Sequence, residues 1–288
     1  MDIAFIFAIQ IIYAVAVLTL ISLGLALVFG MMRIINLAHG EFITLGGYAT
    51  IMATKAGFNI WVAMLVMAPL VVGVWSLFIE RVIIRFLYGR LIYTMLATWG
   101  LSLAMTGGLT MIFGNTTEGV ALDIGSIPIG VYQVNGYNLF LIFSAAVTSI
   151  LVAWVLYGTV YGRIARAAMQ NRDMTQAFGY PVKRISMVTF VVGGMLAGLA
   201  GGILAPTTGV SPFSGATWIA DAFITVITGG TAPLLGTLAS AGILGVVSTS
   251  TVLIFSSAAG GIALLIAALI LLRLFPLGIS SIWQRSGK

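Results

Sequence analysis

Residues 5–30 read FIFAIQIIYAVAVLTLISLGLALVFG, an apolar run without one acidic or basic side chain. Crossing about 30 Å of hydrocarbon takes roughly 20 such residues at about 1.5 Å each. Comparable runs recur at about 42–54, 60–79, 93–113, 138–160, 185–205, 233–253 and 258–275. The second run is short, and a further short apolar piece, about 218–229, follows a Pro/Gly/Ser-rich break at Pro206–Gly215. With 60% hydrophobic residues, 7% charged residues and a mean hydropathy of +1.15, no segment is polar enough for a separate soluble domain. A β-barrel would alternate apolar and polar residues over strands of about 10 residues, whereas these runs are continuous. The expected fold is all-α, a polytopic membrane helical bundle of about 8 transmembrane helices plus a short half-span. Residues 1–288 are expected to form one transmembrane domain.

Charge placement orients the bundle. The loop Glu80–Arg90 carries Arg81, Arg85 and Arg90, and the loop Tyr161–Arg184 carries Arg163, Arg166, Arg172, Lys183 and Arg184. The tail adds Arg273, Arg285 and Lys288, while Asn115–Tyr137 holds only Glu118 and Asp123. Short basic loops stay cytoplasmic. Both basic loops and the C-terminus are therefore expected inside, and the acidic loop and N-terminus outside. The net charge of +6 follows from these loops and calls for no nucleic acid. The start, Met1-Asp2, lacks the basic region and cleavage site of a secretory signal, so the first run reads as a retained span. The chain has no cysteine and one histidine, which excludes disulfides and thiolate metal sites and leaves little for a hydrolytic metal centre.

The glycines lie inside the runs. Gly194, Gly198 and Gly202 recur every four residues, on one face of a helix. In lipid, small residues let helix backbones approach closely, so this face is expected to pack. Glu41-Phe42-Ile43-Thr44-Leu45-Gly46-Gly47 also echoes Ala222-Phe223-Ile224-Thr225 with Gly229-Gly230. Each opens a short segment after a break, and the two enter from opposite sides, the arrangement of an inverted repeat.

Polar residues at membrane depth are costly and mark a path or a packing lock. Asn36-Leu37-Ala38-His39-Gly40-Glu41, with Arg33 just before it, is such an island between two runs. It reads either as a gate element or as interhelical hydrogen-bond partners that fix the fold. Asp221, alone in an apolar segment, either meets substrate or caps a half-helix. Ala97-Thr98-Trp99-Gly100 is a further polar and aromatic interruption, with Trp99 more easily read as packing than as a ligand contact. Residues 162–179 read as one short amphipathic helix, with Ile164, Ala168, Thr175 and Phe178 along one side and Gly179 and Pro181 ending it. Its alanines and terminal apolar anchor suit a groove on a soluble partner; a solvated basic loop is the plainer alternative.

On these residues the chain resembles the membrane permease subunit of bacterial ATP-binding-cassette importers of the branched-chain amino acid and urea/amide class. The matching pieces are Gly24-Leu25-Ala26-Leu27-Val28-Phe29-Gly30, Asn36 to Glu41, the glycine-rich 193–202 region, and Gly162, Arg163, Arg166, Ala167, Gln170, Asn171, Arg172 and Gly179. Ala97 to Leu103, Gln170 to Met174 and Ile219-Ala220-Asp221-Ala222-Phe223 look most similar to urea and short-chain amide permeases. The resemblance implies an inner-membrane subunit that is not an enzyme and binds no cofactor itself. ATP and magnesium would sit on two partner ATPase subunits, against which residues 162–179 would dock as the coupling helix. A second permease subunit, homologous or identical, and a periplasmic substrate-binding protein complete the implied assembly. Asn36, His39, Glu41, Thr98, Trp99 and Asp221 are then the candidates for the substrate pathway or gate. No Gly-x-x-x-x-Gly-Lys-Ser/Thr phosphate loop occurs in the chain, which fits a subunit that leaves ATP hydrolysis to others. The rival reading is an ion-coupled secondary transporter with His39, Glu41 or Asp221 as its ion site. An intramembrane enzyme would need a nucleophile beside His39, and the sequence offers no obvious one.

Overall fold

The computed structural model describes residues 2–122, 124–129, 132–230 and 232–281. Asp123, Arg285 and Lys288 of the charge argument lie outside the described residues. The chain runs through α1 (Asp2–Met32), α2 (His39–Lys55), α3 (Ile60–Phe86) and α4 (Leu91–Phe113) to a hairpin of β1 (Ser126–Ile129) and β2 (Tyr132–Asn135). It continues through α5 (Gly136–Gly158), α6 (Val160–Gln170), α7 (Arg172–Ala177), α8 (Val182–Thr208), α9 (Ser214–Gly229), α10 (Leu235–Ile254) and α11 (Ser257–Leu274). The helical membrane bundle expected from the apolar runs is what forms. Among the described residues seven helices are long and apolar enough to cross a membrane: α1, α3, α4, α5, α8, α10 and α11. The run at 42–54 becomes α2, which at 17 residues falls below that length, as α9 does at 16.

Two compact units share the chain, one from 23–121 and 152–220, the other from 1–22, 122–151 and 221–288. In the first unit α8 is the central helix, packed against α2 and α3. Its glycines make that possible. A Cβ on Gly198 would lie 2.7 Å from the Ala68 carbonyl oxygen of α3, and one on Gly202 would lie 2.9 Å from the Met64 carbonyl. One turn away on α8, a Cβ on Gly201 would collide with the Ile43 carbonyl of α2. From the α2 side, a Cβ on Gly46 would lie 2.6 Å from the Gly198 Cα. The face expected at Gly194, Gly198 and Gly202 packs closely, against backbone at Gly198 and Gly202 and against the Ser76 side chain at Gly194, and Phe42 seals it edge-on against Phe190 at 6.1 Å.

The break expected at Pro206–Gly215 starts later, because α8 runs through Pro206 to Thr208. Pro206 deprives only the Gly202 carbonyl of its helical N–H partner, and in the last turn the Thr207 and Thr208 hydroxyls both donate to the Leu204 carbonyl, at 2.9 and 3.1 Å. Gly209, at φ +65°, then ends the helix. The Glu118 backbone pairs with Val210 beyond it, and the Glu118 carboxylate takes the Lys55 ammonium at 2.5 Å.

In the second unit α10 packs on α11. After α11 the chain folds back onto the end of α9, where Ile279 N–H donates to the Thr228 carbonyl at 2.9 Å and Ser280 N–H to Gly229 at 3.1 Å.

Overfilling a tight contact typically costs about 1–3 kcal/mol. Gly201→Ala should therefore lower the thermal midpoint and yield of the detergent-solubilised protein. Gly242→Ala, which meets open space in α10, should leave both unchanged; equal behaviour of the two variants would remove the glycine face as the determinant of packing.

Candidate functional site

The polar island forms the junction of α1 with α2, and its geometry starts from the backbone. Arg33, the residue after α1, adopts φ +52° while its N–H still donates to the Phe29 carbonyl at 2.9 Å. Few non-glycine residues sit there, and the conformation is unfavourable by roughly 1–2 kcal/mol. The chain then turns on Asn36. Its side-chain oxygen accepts from Ala38 N–H at 3.1 Å, and its carbonyl accepts from His39 N–H at 3.3 Å. This asparagine turn launches α2 in place of a side-chain cap.

Thr98, wholly buried on α4, clips the turn. Its hydroxyl oxygen accepts the Leu37 N–H at 3.1 Å and lies 2.9 Å from the Thr94 carbonyl and 3.3 Å from the Ile35 carbonyl. Asn36, His39 and Glu41 are all buried. The His39 ring packs where α1 passes at Gly24; its Cε1 lies 3.0 Å from the point a Cβ there would occupy. The Glu41 carboxyl faces the hydroxyls of Ser102 and Thr106, the next two turns of α4 after Thr98, and its Oε2 is buried without a hydrogen-bond partner. The island thus meets Thr98, Ser102 and Thr106, part of a hydroxyl ladder spaced four residues apart along α4: Thr94, Thr98, Ser102, Thr106 and Thr110. Only Thr98 of this ladder was singled out from the sequence; the four-residue spacing is the signal that identifies the rest.

Within the first unit the structure brings together Asn36, His39, Glu41 and Thr98, while Trp99 turns away from them. Trp99 is 56% exposed on the outer side of α4. On that helix Gly100, Gly107 and Gly108 have no atom within 4 Å of a built Cβ. Asp221 belongs to the other unit and sits in the interior of α9, which begins seven residues earlier at Ser214. That position excludes the capping reading, because only the first turn of a helix has unpaired N–H groups.

The basic segment 162–179 also departs from its expected form. It is two helices, because Asn171 leaves helical geometry at φ −151° and its side chain caps α7 by accepting from Met174 N–H at 2.9 Å. Gly179, at φ +85°, ends the pair. Ala168 and Thr175 are buried, whereas Phe178 is 75% exposed, so the expected stripe does not form one face. The outward side carries Arg163, Ala167, Gln170, Asn171 and Gly179. Gly162 is buried against the turn at Val155 and Leu156, and Arg166 lies over the Tyr157 ring at 4.7 Å.

Arg172 points the other way. It donates to the Ser186 hydroxyl at 2.9 Å and lies 5.7 Å from the centre of the Tyr88 ring. Tyr88 in turn donates to the buried Glu80 carboxylate at the end of α3. Burial first, and then Glu80, hold the Tyr88 phenol above its ordinary pKa, so it remains a donor. From this loop the Leu87 and Arg90 carbonyls accept the Thr94 hydroxyl at 3.1 and 2.9 Å. A chain of packed polar contacts therefore leads from α7 to the ladder that holds the island. Sequence reasoning missed Glu80, Tyr88 and Thr94. Among the described residues no group of three metal-ligating side chains assembles.

A family model described as branched-chain amino acid transport system / permease component matches residues 7–274. The probable branched-chain amino acid transport permease protein LivH of Methanocaldococcus jannaschii is 27% identical over 261 residues, covering 86% of this chain and 81% of that protein. The high-affinity branched-chain amino acid transport system permease protein LivH of Escherichia coli is 27% identical over 79% of each chain. BraD of Pseudomonas aeruginosa, of the same description, is 30% identical over 79% of each. No solved structure matches the chain.

Thr98→Val keeps the shape of the side chain but leaves the Leu37 N–H without its acceptor, a loss of about 1–3 kcal/mol. The variant should melt earlier in detergent and lose uptake, and Thr98→Ser should restore both. Failure of serine to rescue would move the role of Thr98 from its hydroxyl to its methyl packing.

Proposed function

We propose that this chain, which belongs to the branched-chain amino acid transport permease family, carries a small polar solute across the membrane through the island-and-ladder junction. Members of this family are non-catalytic multi-pass membrane subunits of ATP-binding-cassette transporters, working with ATPase and substrate-binding components. The junction is the gate in our reading, with Asn36, His39, Glu41 and Thr98 as its polar wall. Trp99, exposed on α4, and Asp221 of the other unit complete the pathway candidates in this reading. The ATPases dock on α6 and α7, and the N-terminus faces outward.

One observation carries this reading. The outward arginine-bearing side of α6–α7 is connected, through Arg172, Tyr88 and the loop carbonyls of Leu87 and Arg90, to the threonine that clips the island. Force applied by an ATPase at α7 has a contiguous polar route to the gate, one physical means by which a second site can bias it. Branched-chain amino acids are the substrates named for the relatives, and we take them as the first reading here. Urea and short amides are the second, favoured by the resemblance at Thr98-Trp99-Gly100 and Ile219 to Phe223.

Uptake by the assembled transporter, with its binding protein, of leucine, isoleucine and valine against urea and short amides separates the two substrate readings. Arg166→Ala and Gly179→Ala, the latter forcing a side chain onto φ +85°, should insert normally but lose substrate-stimulated ATP hydrolysis. Hydrolysis at the parent rate in both would return α6–α7 to a solvated loop. Because the chain lacks cysteine, Arg163→Cys reports sidedness. It should react with an impermeant maleimide in inside-out vesicles and not in right-side-out ones. Uptake driven by an ion gradient without any ATPase would replace the whole reading with a secondary transporter.

A further inference from the structure

A groove of about 520 Å³ opens between α1, the end of α5, α6 and the start of α8. It shares no residue with the polar junction. Its walls are aliphatic: Leu27 of α1, Leu156 of α5, Ile164 of α6, and Val188 and Val192 of α8. Its polar groups include Tyr161, Tyr180 and Arg184, contributed by the first turn of α6 and by the entry and first turn of α8. Tyr161 is 84% exposed, and Arg184 is exposed as well. These segments are where the basic loop meets span-length helices, the depth of the membrane–water boundary.

We propose that this groove binds an anionic phospholipid, with an acyl chain along the valine and leucine wall and the phosphate at Arg184 between the two phenols. The volume falls within the roughly 300–1,000 Å³ of small-ligand sites. The distribution of chemistry favours a lipid over a protein segment, because an aliphatic slot with a cation and amphipathic aromatics next to it matches a tail and a headgroup. Charge adds to this. Lys183 and Arg184 both stand in the first turn of α8, where the cap Pro181 provides no side-chain acceptor. Cations there add to the positive end of the helix instead of offsetting it, and a phosphate monoanion answers both.

The complementary charge is anionic whichever way the chain is oriented, and the groove stands whether or not α6–α7 docks an ATPase. The test therefore reads lipid, not transport. The assembled transporter is moved from detergent into bilayers of phosphatidylcholine with phosphatidylglycerol, re-extracted, and its retained lipid quantified by mass spectrometry. The parent should retain phosphatidylglycerol over phosphatidylcholine. Arg184→Gln should retain about fivefold less, the effect of roughly one surface cation on an anionic lipid, whereas Lys183→Gln, one residue away and outside the lining, should lose clearly less than Arg184→Gln. Val188→Trp should fill the slot and lose retention with the charge unchanged. Equal retention of the two lipids, or equal loss in both charge variants, would overturn the assignment. So would a photo-reactive side chain at Val188 that crosslinks to polypeptide instead of lipid.

Discussion

Backbone contact between α8 and its two neighbours is the interaction on which the rest of this molecule depends. Lipid tails are as apolar as leucine, so burying side chains against one another gives membrane helices little reason to associate. Close approach supplies the reason instead. The Gly201, Gly198 and Gly46 surfaces bring α8 and α2 to carbonyl contact, and Gly198 and Gly202 do the same toward α3. With α2 held in this way, its first turn has nowhere to go but the position where Asn36 and Thr98 meet. The polar junction is thus a product of glycine packing as much as of its own hydrogen bonds.

That dependence explains what could be read from the sequence. The spans were legible because a hydrocarbon slab imposes length and composition directly, and the run at 5–30 or 258–275 carries that constraint alone. The α8 glycine face was legible because a four-residue spacing has one simple meaning on a helix in lipid. The island was legible as an anomaly of polarity, though its choice between gate and lock was not.

What escaped is set by partners far apart in sequence. Nothing near Tyr88 announces that Glu80 lies buried beneath it or that Arg172 stacks above it; only the fold brings them within reach. The hydroxyls at 102 and 106 looked like an ordinary membrane serine and threonine until Glu41 gave them a meaning. The break in 162–179 was written in Asn171, which prefers to cap a new helix over extending an old one, but the hydrophobic spacing on either side concealed it. The capping alternative for Asp221 stayed open in the sequence because α9 starts earlier than its apolar run, with Ser214 and its neighbours too polar to be counted in.

Arg33 gives the junction a further property. A side-chain-bearing residue held at φ +52° persists only because its surroundings outweigh the strain. The turn at Asn36, the clip from Thr98 and the anchored start of α2 together hold that conformation. Any movement that lets Arg33 return to ordinary helical angles gives the energy back. The junction therefore keeps part of its packing energy as backbone strain, like a spring held compressed, and its net stability is smaller than its hydrogen bonds alone imply.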